Sequence, residues 1–245
     1  MAGRGSRFAK VGYTTPKPLI EVLSRPMIMW SIESIRGFYP SAQDRDFIFL
    51  ILKEHEEKYK ISDSLRKLVG PAINVITVDA VTEGATCTVL LAKDFINSDE
   101  DMVVVDSDQF IVCPGFAETQ QLAVQNDWGG FIVTDEKSSP AYSYARTDDS
   151  GNVVETAEKK QISTHASAGA YYFGKGRYFV QAAEEMIRKN IRFNNEFYLC
   201  PVYNEVIAMN KIVRIVPVEL WMTLGTPEEA QYFSENVPEK YRLQK

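Results

Sequence analysis

Residues 47–52 read Phe-Ile-Phe-Leu-Ile-Leu, six apolar side chains in a row. A strand with one wet face alternates apolar and polar residues, so an unbroken run belongs to a strand covered on both faces. The run is far too short to cross a bilayer. A strand covered twice needs helices above and below its sheet, and the flanking sequence offers them. Ile28, Ile32, Ile35 and Tyr39 recur at helical spacing, with Gly37 and Pro40 marking the helix end. Ile61, Leu65 and Leu68 repeat the pattern and are closed by Gly70-Pro71. Residues 73–78 read as a second strand, 86–96 as a helix and Met102–Val105 as a third strand. Strand, helix, strand, helix, strand is the order of a parallel sheet with covering helices.

The second half has a different rhythm. Residues 129–134 and 141–146 read as strands, and Asp148-Asp149-Ser150-Gly151-Asn152 as a hairpin turn from which 153–156 returns. Residues 168–173 are a further buried strand, followed by helices at 179–189 and 201–209, a strand at 212–216 and a helix at 227–233. No repeat, low-complexity tract or linker interrupts the 245 residues. The expectation is one α/β domain: a Rossmann-like mixed, mainly parallel sheet with helices on both faces, and antiparallel strands inserted in the second half. A composition of 45% hydrophobic and 24% charged residues supports a core of that size.

Charge and residue counts narrow the function. A formal net charge of −6 without a basic tract argues against a nucleic-acid partner. A phosphorylated small molecule stays open, because a few cations in one place act against an acidic whole. Cys87, Cys113 and Cys200 are isolated and odd in number, which favours free thiols over a disulfide framework or a zinc site. With only His55 and His165, histidine-built metal or nucleophile–base chemistry is disfavoured. Neither a signal peptide nor a membrane span is legible, so a cytoplasmic protein without a membrane partner is expected.

The opening stretch carries the densest chemistry. Gly3-Arg4-Gly5-Ser6-Arg7 places two glycines where backbone N–H groups can face an anion without a Cβ in the way. Arg7 and Lys17 add two cations, a combination suited to a polyphosphate; the alternative is a glycine turn at a mobile terminus. Gly-x-Gly-Ser-Arg-Phe, then Pro16-Lys17-Pro18-Leu19-Ile20, then Pro26-Met27-Ile28 resembles the signature of sugar-nucleotide pyrophosphorylases. These are nucleotidyltransferases of GT-A-like fold that join a nucleoside triphosphate to a sugar 1-phosphate and release pyrophosphate. The pattern is most similar to their bacterial capsule and cell-surface polysaccharide branch.

The resemblance implies a nucleotide-binding half, residues 1–128, and an acceptor-binding half, residues 129–245. Ala2, Gly3, Gly5 and Ser6 would wrap the triphosphate, Arg7 hold the departing β- and γ-phosphates, and Lys17 contact the reacting phosphates. Arg7 and Lys17 are thus the expected catalytic residues. The attacking phosphate oxygen is already anionic and needs no general base. The barrier is repulsion between anions and the charge on departing pyrophosphate, which fixed cations and backbone donors relieve.

Four further motifs fit the same comparison. Glu83, Gly84 and Ala85 match the base-recognition loop, where small residues let a flat base approach the backbone; the alternative is a helix start with Thr86 near its cap. Asp108 takes the family's metal position after the Met102–Val105 run, with Asp106 two residues before it. Carboxylates at the carboxyl end of a strand suit Mg²⁺, the expected cofactor. They also read as turn or cap residues, or as the Asp-x-Asp of a glycosyltransferase. Glu158 and Lys159, followed by Gly169, match the residues that hold the acceptor's hydroxyls, its phosphate and the space for its ring; the alternative is a solvated hairpin edge. Glu196 matches a further sugar contact. In Trp221-Met222-Thr223-Leu224-Gly225-Thr226-Pro227, Thr223 stands where many members carry a second metal-binding aspartate. A hydroxyl is a far weaker Mg²⁺ ligand than a carboxylate.

The reading leaves rivals. A cytidylyltransferase for a non-sugar phosphomonoester, such as a phosphorylated amino alcohol or amide, would share the first three motifs. A glycosyltransferase would not need the Gly-Ser-Arg-Phe loop or Pro-Lys-Pro. A nucleotide-binding regulatory subunit without catalysis is favoured by Thr223. The base, the acceptor and the oligomeric state are not encoded in these motifs. One further expectation concerns the amino end. A phosphate-binding glycine loop normally follows a buried strand. Met1 stands two residues before Gly3, so the chain as written is expected to be short at that end, lacking an apolar or β-branched run.

Overall fold

The computed structural model describes residues 1–3 and 5–242. It divides into two compact units: Met1–Ala80 with Asp106–Val112 and Glu219–Lys245, and Val81–Val105 with Cys113–Val218. The chain therefore leaves the first unit and returns to it twice.

In the first unit, the helix Met27–Phe38 serves two cores. Met27 and Trp30 pack with Phe8, Ile20, Val22, Phe110, Met222, Leu224 and Phe233. Ile28 and Ile32 pack with Phe47, Phe49, Ile51, Ile61, Leu65 and Ile73. Trp30 is the hub of the first cluster, edge-on to Phe110 and Phe233 at ring-centroid separations of 5.5 and 4.7 Å. Its indole N–H donates to the Val22 carbonyl at 3.2 Å, so this large ring is buried without an orphaned donor. The strands Ile48–Leu52 and Asn74–Val78 pair in parallel, with Ile48 opposite Asn74 and Leu52 opposite Val78. Helices Lys53–Tyr59 and Ile61–Leu68 connect them; the first is too polar for its periodicity to be read.

A second pairing in this unit joins Gln109–Val112 to Leu220–Thr223, antiparallel, with Gln109 opposite Thr223. Buried serines of the Met27–Phe38 helix bond to the first of these strands. Ser31 Oγ donates to the Gln109 carbonyl at 2.8 Å, and Ser34 Oγ accepts from the Ile111 N–H at 2.8 Å. Hydroxyls thus supply partners that another strand would otherwise provide.

The second unit is built on a mixed six-stranded sheet. Along one path lie Val213–Pro217, Gly130–Glu136, His165–Phe173, Ser143–Thr147 and Val153–Glu158, with Met102–Val105 also paired to His165–Phe173. Val213–Pro217 runs parallel to Gly130–Glu136; the other pairings are antiparallel. His165–Phe173 is buried at eight of its nine positions, as a strand covered on both faces should be. The stretch at 86–96 forms two short helices, Ala85–Leu90 and Lys93–Ile96, rather than one. Thr86, Cys87, Thr88 and Val89 are poor helix formers, and the break follows them. All three cysteines are free. Among the described residues, no helix is long and apolar enough to cross a membrane.

Candidate active site

In the first unit, the backbone sets Lys17. Pro16 enters at φ −55° and ψ 136°, and Pro18 follows inside the single 3₁₀ turn Lys17–Leu19. The two prolines restrict the backbone from which the lysine stem leaves. Its Nζ donates to the Asp108 carboxylate and to the Gly225 carbonyl, the latter at 3.0 Å. It also lies 5.6 Å from the centroid of the buried Phe8 ring. Gly5 caps the short helix Ser6–Lys10 at φ 62°, and a Cβ there would stand 3.1 Å from Lys17 Cβ. Of the two loop glycines, Gly5 is required by the fold, whereas a Cβ on Gly3 would meet nothing within 4 Å. Ala2 is half-buried, and Ser6 and Arg7 are exposed. Arg7 forms no ion pair among the described residues, and Arg4 lies outside them.

Asp106 and Asp108 follow the Met102–Val105 strand, and the second strand pair fixes them. The Leu224 N–H donates to the Asp108 carbonyl at 2.7 Å. Gln109 Nε2 donates to Asp106 Oδ2 at 2.9 Å, while Gln109 Oε1 accepts from the Trp221 indole. The two sequence motifs containing Asp108 and Thr223 thus meet, with Thr223 one register position beyond Asp108. Burial, then the neighbouring Asp108 charge, pushes the Asp106 carboxyl up to about 7, against the Met1 amino terminus, Gln109 and Lys17. Crowded carboxylates of this kind favour a cation. Among the described residues, no three His, Cys, Asp or Glu side chains group to enclose one. The donor set suits a cation such as Mg²⁺, which takes one or two carboxylates and completes its shell with phosphate oxygens and water.

The second unit gathers the other predicted residues around residues 193–198. Asn194 and Asn195 both have positive φ, 47° and 63°, as the two central residues of a tight hairpin turn require. Phe193 and Glu196 exchange backbone hydrogen bonds across that turn, at 3.0 and 2.9 Å. Next in chain, the Phe197 N–H donates to the Glu83 carbonyl at 2.8 Å, and the Thr86 N–H to the Phe197 carbonyl at 3.1 Å. Gly84 is squeezed between, so its missing side chain makes room for the Phe197 backbone. The Glu83 carboxylate accepts from Arg192, whose guanidinium lies 4.2 Å from the Phe197 ring centroid. Ala85 is exposed.

Lys159 sits at φ 49°, and its Nζ donates to the Tyr198 hydroxyl at 3.0 Å. That bond, more than its neighbours Glu158 and Glu196, holds the ammonium above the ordinary lysine range. Glu158 is buried and accepts from Ser143 Oγ. Burial raises its pKa, with Ser143 and Lys159 opposing and Glu196 adding to the rise. Gly169 lies at φ 76° in the His165–Phe173 strand, within its register shift against Gly130–Glu136. Glu158, Lys159 and Glu196 are therefore brought together, with Ser143 and Tyr198 as partners that the motifs did not single out. Tyr198 lies in the matched segment Asn195-Glu196-Phe197-Tyr198, of which Glu196 was the candidate; Ser143 carried no signal, because its role depends on the strand opposite it.

Known proteins match the chain along nearly its whole length. A "Bifunctional protein GlmU" from Methanocaldococcus jannaschii is 25% identical over 236 residues, 92% of this chain and 50% of that protein. A "Mannose-1-phosphate guanylyltransferase catalytic subunit beta" from Drosophila melanogaster is 23% identical over 94% of this chain and 59% of its own length. The chain thus spans half to three fifths of these two relatives. Among solved structures, a nucleoside-diphosphate-sugar pyrophosphorylase from Vibrio cholerae superimposes with a TM-score of 0.81 at 24% identity, covering 96% of this chain and 98% of that one. That likeness carries the α/β fold. The Nucleotidyl transferase family model matches residues 1–237, from the glycine loop through the last core helix, and the chain belongs to that family.

Proposed function

We propose that the protein transfers a nucleotidyl group from a nucleoside triphosphate to a phosphomonoester, with a sugar 1-phosphate as the acceptor class, and releases pyrophosphate. The observation that carries the reading is Lys17: an ammonium held by the Asp108 carboxylate and the Gly225 carbonyl, beside the glycine loop. Lys17 supplies positive charge at the reacting phosphates without moving, which costs no reorganisation as charge develops. Arg7, exposed and without an ion pair among the described residues, serves the departing β- and γ-phosphates, and Ala2, Gly3, Gly5 and Ser6 line the loop. Asp106 and Asp108 would hold Mg²⁺, which when bound neutralises charge on the phosphate oxygens. In the second unit, Lys159 receives the acceptor phosphate, Glu158 and Glu196 its hydroxyls, and Gly169 leaves room for its ring. Glu83, Gly84 and Ala85 border the base, reading it with main-chain groups and Glu83.

A place in the capsule and cell-surface branch, and a cytoplasmic location, belong to the same proposal and rest on the motif pattern. Thr223 favours a second reading, in which nucleotide binds without turnover. Pyrophosphate release measured over a panel of triphosphates and phosphomonoesters decides between them. Release with one pair only is expected. Tight triphosphate binding with no release from any pair would favour the second reading and sink the first.

A further inference from the structure

The Phe193 and Tyr198 rings stand against Lys159 on a segment tied to the Glu83–Ala85 loop by two backbone hydrogen bonds. We infer that Tyr198 is a positioning residue, whose hydroxyl aims the Lys159 ammonium at the acceptor. The inference rests on the nucleotidyltransferase reading and adds a residue to it.

Lys159 alone would be a poor device. Its stem has four rotatable carbons, and an exposed ammonium samples many of their arrangements. Here three restraints act on it. The left-handed backbone at φ 49° and the bond from the Lys159 N–H to the Tyr142 carbonyl, 3.0 Å, fix where the stem leaves the chain. The Phe193 and Tyr198 ring centroids lie 5.6 and 4.9 Å from Nζ, within the range of cation–π attraction. The Tyr198 hydroxyl then accepts one of the three ammonium N–H bonds at 3.0 Å. One accepted bond leaves two N–H groups for a phosphate.

Burial keeps the Tyr198 phenol protonated, with the Lys159 bond opposing and the nearby Glu196 adding to the rise. The hydroxyl thus stays available to accept from the cation. The Phe193–Glu196 turn and the Phe197 bonds to Glu83 and Thr86 make the platform rigid. Tyr198 itself need not touch substrate.

The test is Tyr198→Phe, which keeps the ring and the fold and removes only the hydroxyl. Steady-state kinetics are read for both substrates, and Lys159 reactivity is read by competitive acetylation and mass spectrometry, with exposed Lys10 as internal reference. The expected result is an acceptor KM raised about tenfold, the size of one lost hydrogen bond to a charged group, with the triphosphate KM unchanged. Lys159 should also acetylate faster relative to Lys10. An unchanged acceptor KM, or an equal rise in both KM values, overturns the inference. The labelling needs no turnover, so it separates two failures. A wild-type chain silent over the whole substrate panel sinks the functional reading. Equal Lys159 labelling in the two proteins sinks the contact itself, whatever the activity.

Discussion

Replacing Gly84 by alanine is the sharpest test of how the second unit is assembled. Gly84 sits at φ 134° and ψ 171°, in the extended positive-φ region that is essentially reserved for glycine. Holding a non-glycine residue there costs about 1–3 kcal/mol. The new Cβ would also stand 2.4 Å from the Phe197 carbonyl oxygen and 2.5 Å from its nitrogen. Backbone atoms cannot swing aside as a side chain can. Retreat of Phe197 would break its bonds to Glu83 and Thr86, at about 0.5–1.5 kcal/mol each. Strain and the two lost bonds together come to roughly 2–6 kcal/mol, a large part of the 5–15 kcal/mol that typically stabilises a domain. Urea unfolding of Gly84→Ala, beside wild type and Gly3→Ala, measures it. Gly3→Ala should lie on the wild-type curve, since nothing stands within 4 Å of its added Cβ. A Gly84→Ala midpoint within error of wild type would refute the packing argument.

Lys17→Ala should lower turnover by at least about a hundredfold while unfolding is little changed, because it removes a preorganised cation at developing charge; Arg7→Lys should also damage turnover, since a point charge cannot replace the planar fork. Steady-state pyrophosphate release checks both, and near-normal rates in either would remove the phosphate-cradle reading. Asp108→Asn should cost more Mg²⁺-dependent activity than Asp106→Asn, and Thr223→Asp should tighten the Mg²⁺ dependence; metal titrations of the rate decide, and a reversed order would move the metal assignment by two residues. Asp127 accepts from Lys211, Lys175 and Tyr178, and the lysine bonds hold its carboxyl well below the ordinary value of 3.8. A depressed carboxylate contributes stability above its unfolded-state pKa and loses it as pH falls from there through the lower folded-state value. Asp127→Asn should therefore be less stable near neutrality and lose stability less steeply below about pH 5, and parallel pH–stability curves for the two proteins would exclude that role.

Local pattern carried the elements, and long-range partners carried what it missed. Ile48–Leu52 and Met102–Val105 were legible because an unbroken apolar run has one stable use in a sheet. Their directions were not equally legible. Ile48–Leu52 meets a neighbour 26 residues on and is parallel to it, as a helical crossover dictates. Met102–Val105 pairs with His165–Phe173, far along the chain and antiparallel, and nothing in either run encodes the other. Gln109–Val112 and Leu220–Thr223 escaped notice for the same reason, being four residues each and depending on one another. Lys17 and Asp108 were each readable from their loops, yet their contact spans 91 positions. Gly84 was readable as a glycine that matters, and the reason given for it was close approach by a ligand. The structure adds a nearer one, the Phe197 backbone.

Thr223 shows how such long-range pairing changes the meaning of a departure from a motif. Taken alone, a hydroxyl in place of a carboxylate subtracts a metal ligand. In the fold, its register partner is Gln109, whose side-chain amide already donates to Asp106. Asp106, Asp108 and two ammonium groups, Lys17 and the Met1 amino terminus, share this corner of the first unit. The Asp106 carboxyl is raised by burial and by Asp108, so the corner already resists a second full negative charge. A third carboxylate at 223 would add to that cost in the ligand-free protein and be offset only when a cation arrives. Threonine avoids the cost, and the Gln109 amide, on the strand opposite Thr223, holds Asp106 in the loop before it.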